Sequence, residues 1–288
     1  MAAISVVIPA YNEEKAIEGT IRGIQSAINP LKGKHKIEII AIDDCSTDRT
    51  RQILKKINGI KVIENAANLG YGASLKAAIR HSTADYILII DADGTYPVDE
   101  IPELVSRLKD NGMVVGARTG KNVAIPFFRR PAKWFLKHFS QYLARTKIPD
   151  LNSGLRIFKR EIALKYMALF PDGFSFTTTL TMICLTNGYT VEYFSINYYE
   201  RKGKSTISPV KDFVAFVNLI FRLTIFFKPL NVFVPISLII LIAGILKLIK
   251  DFMLTGAFGL GGGMAVLAAI QIGFLGILAD LIIKNRQL

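Results

Sequence analysis

Two stretches near the C-terminal end constrain this chain more than anything else in it. Residues 230–246 run for 17 positions without a charge, and residues 260–279 for 20 more, interrupted by polar Gln271 but by no ionised group. As helices they would each be about 25–30 Å long, the thickness of a bilayer's hydrocarbon layer. A core helix of a soluble protein keeps a polar face, and these do not, so the expectation is two transmembrane helices joined by a turn at residues 256–263. Both ends of such a hairpin lie on one side, where Arg222, Lys228, Lys284 and Arg286 flank it. By the positive-inside rule that side is the cytoplasm, although Lys247 and Lys250 sit at the far end of the first span. Just ahead, residues 209–228 are amphipathic and aromatic-rich. Lys211, Arg222 and Lys228 are placed there to snorkel, so this segment is expected to lie along the membrane surface. The expected organisation is therefore a polar domain over residues 1–206, an interfacial helix over 207–229 and a two-span hairpin over 230–284.

The polar domain carries the charge. Of the net +13, the four basic and two acidic residues after position 229 account for only two units, leaving +11 on the rest. Such a balance favours anionic partners, whether phosphorylated small molecules, a lipid surface or nucleic acid. Aromatic and basic residues are not interleaved on a recognisable nucleic-acid module, so no nucleic-acid partner is expected. With 51% hydrophobic residues the chain is too apolar for disorder. Cys45 and Cys184 lack metal or redox spacing and read as reduced thiols. The three histidines likewise show no ligand spacing.

Residues 1–9 form a short β-branched run that reads as a first strand rather than a signal peptide. Further continuous apolar runs fall at 37–42, 61–63, 86–90 and 113–115, with helix-like periodicity between them at 13–27, 48–57, 71–81 and 98–109. Continuous runs suit strands covered on both faces, and alternation with helices predicts an α/β fold with a mostly parallel, Rossmann-like sheet. Ligands of such sheets sit beyond the carboxyl ends of the strands, here the segments starting at Pro9, Asp43, Asn65, Asp91 and Gly116. Three acidic clusters meet there: PAYNEE at 9–14, DDCSTD at 43–48 and DADGTYP at 91–97. Converging carboxylates on a basic protein are costly unless a cation or a set of donors occupies them. Asp91 and Asp93, one residue apart at a strand end, are the expected ligands of a hard divalent metal, Mg²⁺ or Mn²⁺.

DADGT also matches the DxDGT strand end of haloacid dehalogenase-type phosphatases, which would make Asp91 a nucleophile. That chemistry needs the motif on the first strand and acids and a Lys downstream, whereas here it follows the fourth strand and the paired acids lie upstream. A dinucleotide dehydrogenase is disfavoured because the turn after the first strand is not glycine-rich, and Gly70-Tyr71-Gly72 lacks a third glycine.

Taken in order, SVVIPAYNEE, DDCSTD, NLGYG, DADGTYP and VGAR resemble the GT-A fold of inverting family 2 glycosyltransferases. NSGLRIFKRE and RKGKST narrow the likeness to polyprenyl-phosphate glycosyltransferases, similar to dolichyl-phosphate mannose and glucose synthases. The resemblance spans residues 4–206. It implies transfer of a sugar from a UDP- or GDP-hexose to dolichyl or undecaprenyl phosphate with inversion. It further implies that Pro9, Tyr11 and Glu13 hold the nucleotide base and ribose, with Asp43 and Asp44 completing that pocket. Asp91 and Asp93 would then contact donor and metal, with Asp93 in the catalytic set. Thr95 stands where dolichyl-phosphate mannose synthases often carry Gln. Asp150 matches an acidic position proposed as catalytic base in some relatives, and it also reads as a turn acid before Asn152.

A phosphate monoester acceptor has a second pKa near ~6, so it attacks as an anion without a strong general base. It needs cationic donors instead, forked Arg above all. Arg118, Arg130, Arg156, Arg201, Lys202 and Lys204 are the candidates, with Arg118 and Arg201 assigned to the catalytic set. The 201–206 loop would close over the phosphates about its glycine. Residues 122–145, with alternating bulky aromatic and basic side chains, are expected to contain a second interfacial anchor. Two rivals remain: a processive polysaccharide synthase, for which two spans are few, and a membrane-tethered nucleotide-sugar-binding subunit without turnover. Gly273 and Gly276 permit close helix packing, which admits a homo-oligomer without requiring one.

Overall fold

The protein is described from a computed structural model covering residues 1–120, 138, 140–142, 144–173, 175–200, 224–225 and 228–287. It divides into two compact units, Met1–Val217 and Asn218–Leu288.

In the first unit, β1 (Ala3–Ala10), β2 (Lys36–Asp43), β3 (Lys61–Glu64), β4 (Tyr86–Ile89), β5 (Met113–Ala117), β6 (Arg156–Lys159) and β7 (Val191–Ser195) form one sheet. Its order is β3-β2-β1-β4-β6-β5-β7. All pairings are parallel except those of β6, which runs antiparallel between β4 and β5. β1 sits between β2 and β4 and is buried from Ile4 to Ala10, which is why its sequence is apolar at every position but Ser5 rather than alternating. The strands β1 to β5 and their order of appearance follow the expectation from the apolar runs; β6 and β7 are additional.

Helices cover both faces of the sheet. α1 (Ile17–Ile28) buries Ile17, Ile21, Ile24 and Ile28, a three- and four-residue spacing that turns one stripe to the sheet. These side chains join Ile4, Val6 and Ile8 of β1, Leu54 of α2 (Thr50–Lys56) and Leu104 of α4 (Ile101–Ser106) in a single core. The opposite parity of the strands, including Val7, Ile40, Ile42 and Ile87, is buried as well. There α3 (Tyr71–His81) packs against β1 and β2. α5 (Arg160–Lys165) and α6 (Phe176–Thr186) complete the unit. α1 begins four residues later than its periodicity predicts, because Asn12 takes φ 55° and the Glu13 carbonyl receives the N–H groups of Ala16 and Ile17 in a separate turn.

The second unit contains α7 (Leu230–Thr255) and α8 (Leu260–Gln287). Both are long and apolar enough to cross a membrane, and only 11% of the most apolar window of each is buried, unlike a core helix. α7 continues well past the uncharged run. Lys247 and Asp251, one turn apart, neutralise each other at 3.3 Å and allow the helix to carry charge to Thr255. Gly256, at φ 68°, ends it in a left-handed cap. Within the hairpin a Cβ on Gly276 would lie 2.6 Å from Cβ of Phe233, and one on Gly273 would lie 3.2 Å from Oγ of Ser237. Those two glycines therefore serve the close approach of α8 to α7. Ser237 also donates to the Ala269 carbonyl across the pair at 2.9 Å. Most of the expected interfacial segments, 122–145 and 209–228, lie outside the described residues.

Candidate active site

Each parallel strand delivers its loop to one edge of the sheet, and the loops are stitched to one another. The Asn12 side-chain oxygen receives the N–H of Thr47 at 2.8 Å, and the Asn12 N–H donates to Oγ of Ser46 at 3.0 Å. The Glu13 N–H donates to Oγ1 of Thr50 at 2.8 Å, and that of Glu14 to the Asp48 carboxylate at 3.1 Å. PAYNEE and DDCSTD are thereby one rigid wall, with Glu13 buried in it.

The two acids that end β2 hold this wall in place. Asp43 is fully buried; it accepts Nε of Arg51 at 2.8 Å and the N–H of Ser46 at 3.2 Å. Asp44 is 4% exposed and reaches toward β3 and α3. Its carboxylate takes the Asn65 amide at 2.7 Å, the Leu69 N–H at 3.0 Å and the Gly70 N–H at 2.8 Å. Three donors on one carboxylate stabilise its charge and fix the NLGYG turn that starts α3. Gly70 has φ 97°, and a Cβ on Gly72 would collide with the Pro171 carbonyl, so both glycines are required by this turn.

At the exit of β4, Asp91 is half-buried and Asp93 buried. The Tyr71 hydroxyl donates to Oδ1 of Asp91 at 2.9 Å. On the other side the Asp91 carboxylate lies against Gly154, where an added Cβ would stand 2.7 Å from Cγ of Asp91. Gly154 is itself held by its N–H bond to the Tyr96 hydroxyl at 2.6 Å. Burial, and after it the Asp91 charge, raises the Tyr71 phenol well above its ordinary pKa, so it remains a proton donor. Burial raises Tyr96 as well. Asp93 turns inward, accepting the Thr95 N–H at 3.1 Å and the Thr95 hydroxyl at 2.7 Å. Thr95 is thus a support for the second Asp.

Arg118 and Asp150 form a close ion pair at the site. The Arg118 guanidinium grips Asp150 in a fork, Nε to Oδ2 at 2.7 Å and Nη2 to Oδ1 at 2.9 Å, while its backbone N–H adds a third bond at 3.0 Å. Nη2 also reaches Asn152 at 2.9 Å, and the guanidinium lies over the Tyr198 ring. With side chains 14% and 3% exposed, the pair joins the end of β5 to the 150–154 loop. The geometry places the Asp150 carboxylate, read from the sequence as a candidate base or turn acid, in this fork with Arg118.

Arg156, expected among the phosphate-binding cations, is instead fully buried. Its guanidinium donates to the carbonyls of Ser153 and Thr177 and to the Thr181 hydroxyl, tying the 153–154 turn to α6. Burial lowers its pKa from the ordinary arginine value, and the carbonyls supply the compensating dipoles. Among the described residues its partners are these internal acceptors, a placement that its arginine identity alone did not predict. Pro9 and Tyr11 lie at the end of β1 and in the loop after it, beside the wall described above. Arg130, Arg201, Lys202 and Lys204 lie outside the described residues. Tyr71, Tyr96 and Gly154 were not singled out by sequence reasoning; their signal was their place inside the NLGYG, DADGTYP and NSG motifs.

The chain is similar to known proteins in sequence and in fold. Residues 5–167 match Glycosyl transferase family 2, and residues 228–284 match the GtrB C-terminal hairpin. The low-salt glycan biosynthesis hexosyltransferase Agl6 of Haloferax volcanii is 27% identical over 287 residues, covering 95% of this chain and 67% of that protein. The dolichyl-phosphate hexose transferase of the same organism is 27% identical over 208 residues, 72% of this chain and 87% of its own. Among solved structures, glucosyl-3-phosphoglycerate synthase from Mycobacterium tuberculosis in complex with UDP superposes with a TM-score of 0.62 at 20% identity, over 77% of this chain and 80% of that one. S. aureus TarS superposes with a TM-score of 0.56 at 19% identity, over 77% and 65%. A mostly parallel GT-A-like sheet with the acidic motifs at its carboxyl edge, and a family match over more than half its length, mean that the chain belongs to glycosyl transferase family 2.

Proposed function

We propose that this glycosyltransferase moves a hexose from a nucleotide diphosphate sugar to a polyprenyl phosphate, inverting the anomeric centre and releasing the nucleoside diphosphate. The observation that carries the reading is the pair Asp91 and Asp93 at the exit of β4, in a chain that also has two helices able to span a bilayer. The names of the Haloferax volcanii relatives, one of them a dolichyl-phosphate hexose transferase, support the acceptor class.

Among the described residues no three His, Cys, Asp or Glu side chains cluster to hold a metal. Two carboxylates nevertheless fit Mg²⁺ or Mn²⁺ well, because such ions are commonly held by one or two carboxylates with phosphate and water oxygens completing the shell. Structures of the Mycobacterium tuberculosis synthase in complex with Mn²⁺ and UDP are consistent with that chemistry. A cation there supplies neutralisation of the departing diphosphate, worth several kcal/mol in such reactions.

The chain's own groups do the rest. Tyr71 and Thr95 orient the two carboxylates. Pro9, Tyr11 and Glu13 border the space for base and ribose, and Asp43 and Asp44 shape it by holding its loops. The acceptor phosphate is ionised near neutral pH and needs no base, which agrees with an Asp150 engaged by Arg118. Arg130, Arg201, Lys202 and Lys204 are the proposed cations for that anion. Arg222, Lys228, Lys284 and Arg286 flank the common side of the hairpin, so the catalytic domain is assigned to the cytoplasmic face. The test is Asp91→Asn and Asp93→Asn in the full chain. Each should abolish transfer of labelled hexose to polyprenyl phosphate with the unfolding temperature retained; full activity in either would reject the reading.

A further inference from the structure

Tyr71 lies outside the acidic motifs, on the first turn of α3, yet its hydroxyl is bonded to the carboxylate on which the proposed donor site depends. Three features make that placement a built one. The Gly70 N–H, immediately before it, is held by Asp44. Gly72, immediately after it, is pressed onto the Pro171 carbonyl with no room for a side chain, and the Ala73 N–H donates to the Asp172 carbonyl at 3.0 Å. Lys76, one turn on, pairs with Asp172 and donates to the Phe170 carbonyl. The backbone is therefore pinned on both sides of Tyr71, so the ring is carried by a fixed Cα and its hydroxyl approaches Asp91 from one direction.

Asp91 is limited on its other side by Gly154, which leaves its carboxylate held between a donor and a backbone. We infer that Tyr71 is a positioning residue for Asp91: its hydroxyl sets the rotation of the carboxylate and through it the affinity of the site for a divalent cation in the presence of the donor diphosphate. The inference rests on the reading of Asp91 as a metal ligand and adds a residue to it. Partners of this kind behind a metal ligand typically contribute 10- to 100-fold to metal affinity.

The variant is Tyr71→Phe in the full, detergent-solubilised chain, which keeps the ring and removes only the hydroxyl. Free Mn²⁺ is followed by electron paramagnetic resonance with saturating UDP and, separately, GDP. Nucleotide affinity is measured in parallel in chelator. The expected result is a ~10-fold weaker Mn²⁺ affinity, unchanged metal-free nucleotide binding, and transfer restored to near wild type by excess Mn²⁺. A Tyr71→Phe protein with wild-type Mn²⁺ affinity overturns the inference. So does one whose metal-free nucleotide binding is lost, or whose rate excess Mn²⁺ does not restore, since either marks a merely structural role. Asp91→Asn separates the two levels of the argument. If wild type binds Mn²⁺ and Asp91→Asn does not, a silent Tyr71→Phe removes Tyr71 alone. If wild type and Asp91→Asn behave alike, the metal reading itself has failed and Tyr71 with it.

Discussion

Gly154→Ala is the sharpest small perturbation available at this site. The single methyl would stand 2.7 Å from Cγ and 2.8 Å from Oδ1 of Asp91, against an ordinary carbon–oxygen contact of about 3.4 Å. Neither partner yields easily, since the Gly154 N–H is tied to Tyr96 and Oδ1 to Tyr71. One of them must move by more than half an ångström. Forcing extra atoms into a packed site costs about 1–3 kcal/mol, and a displacement of about 1 Å at reacting groups costs on the order of 100-fold in rate. Transfer of labelled hexose into an organic-soluble product should fall by about two orders of magnitude, while thermal unfolding shifts only by a few degrees. Gly19→Ala is the control: no atom lies within 4 Å of its added Cβ in α1, so it should stabilise by about 1 kcal/mol and leave transfer unchanged. A Gly154→Ala enzyme within twofold of wild type would refute the reasoning that Asp91 is confined from this side.

Asp44→Ala removes the shared acceptor of the Asn65 amide and the Leu69 and Gly70 N–H groups, and should cost about 1–3 kcal/mol in denaturant unfolding together with nucleotide affinity. Arg118→Ala leaves Asp150 buried without its fork and should cost about 3–5 kcal/mol, whereas Arg118→Ala combined with Asp150→Asn should be milder than the sum of the two; additive losses would count against a tight pair. Burial pushes the Cys184 thiol up to about 12, so at pH 7.5 it should resist maleimide until the protein unfolds, while partly exposed Cys45 reacts first, as peptide mass spectrometry would read.

What the sequence made legible was whatever burial writes into composition. β1 and the second half of β2 are covered on both faces and so are rich in apolar residues, and their ends could be placed to within a residue of Ala10 and Asp43. The same holds for α3, found over the residues its spacing predicts. β6 was hidden because an antiparallel strand of four residues, bounded by Arg156 and Lys159, has too little apolar length to register. Arg156 shows the deeper limit. An arginine is ordinarily a surface cation, and only the fold reveals that carbonyls from Ser153 and Thr177 surround this one. Asp44 and Asp150 were legible as acids at the correct edge, but their partners come from residues 65–70 and from Arg118, distant in sequence. α7 outran its uncharged stretch for a related reason: Lys247 reads as a terminator until Asp251 is seen one turn away.

The central claim is that a nucleotide-linked hexose leaves for a lipid phosphate at the Asp91 and Asp93 edge. Membranes containing the chain, supplied with labelled UDP- and GDP-hexoses, Mn²⁺ and polyprenyl phosphate, test it most directly. The account predicts a labelled organic-soluble sugar phosphate whose formation requires the added lipid and stops with chelator. Donor bound at that edge with no lipid-linked product, across the hexoses supplied, would contradict it.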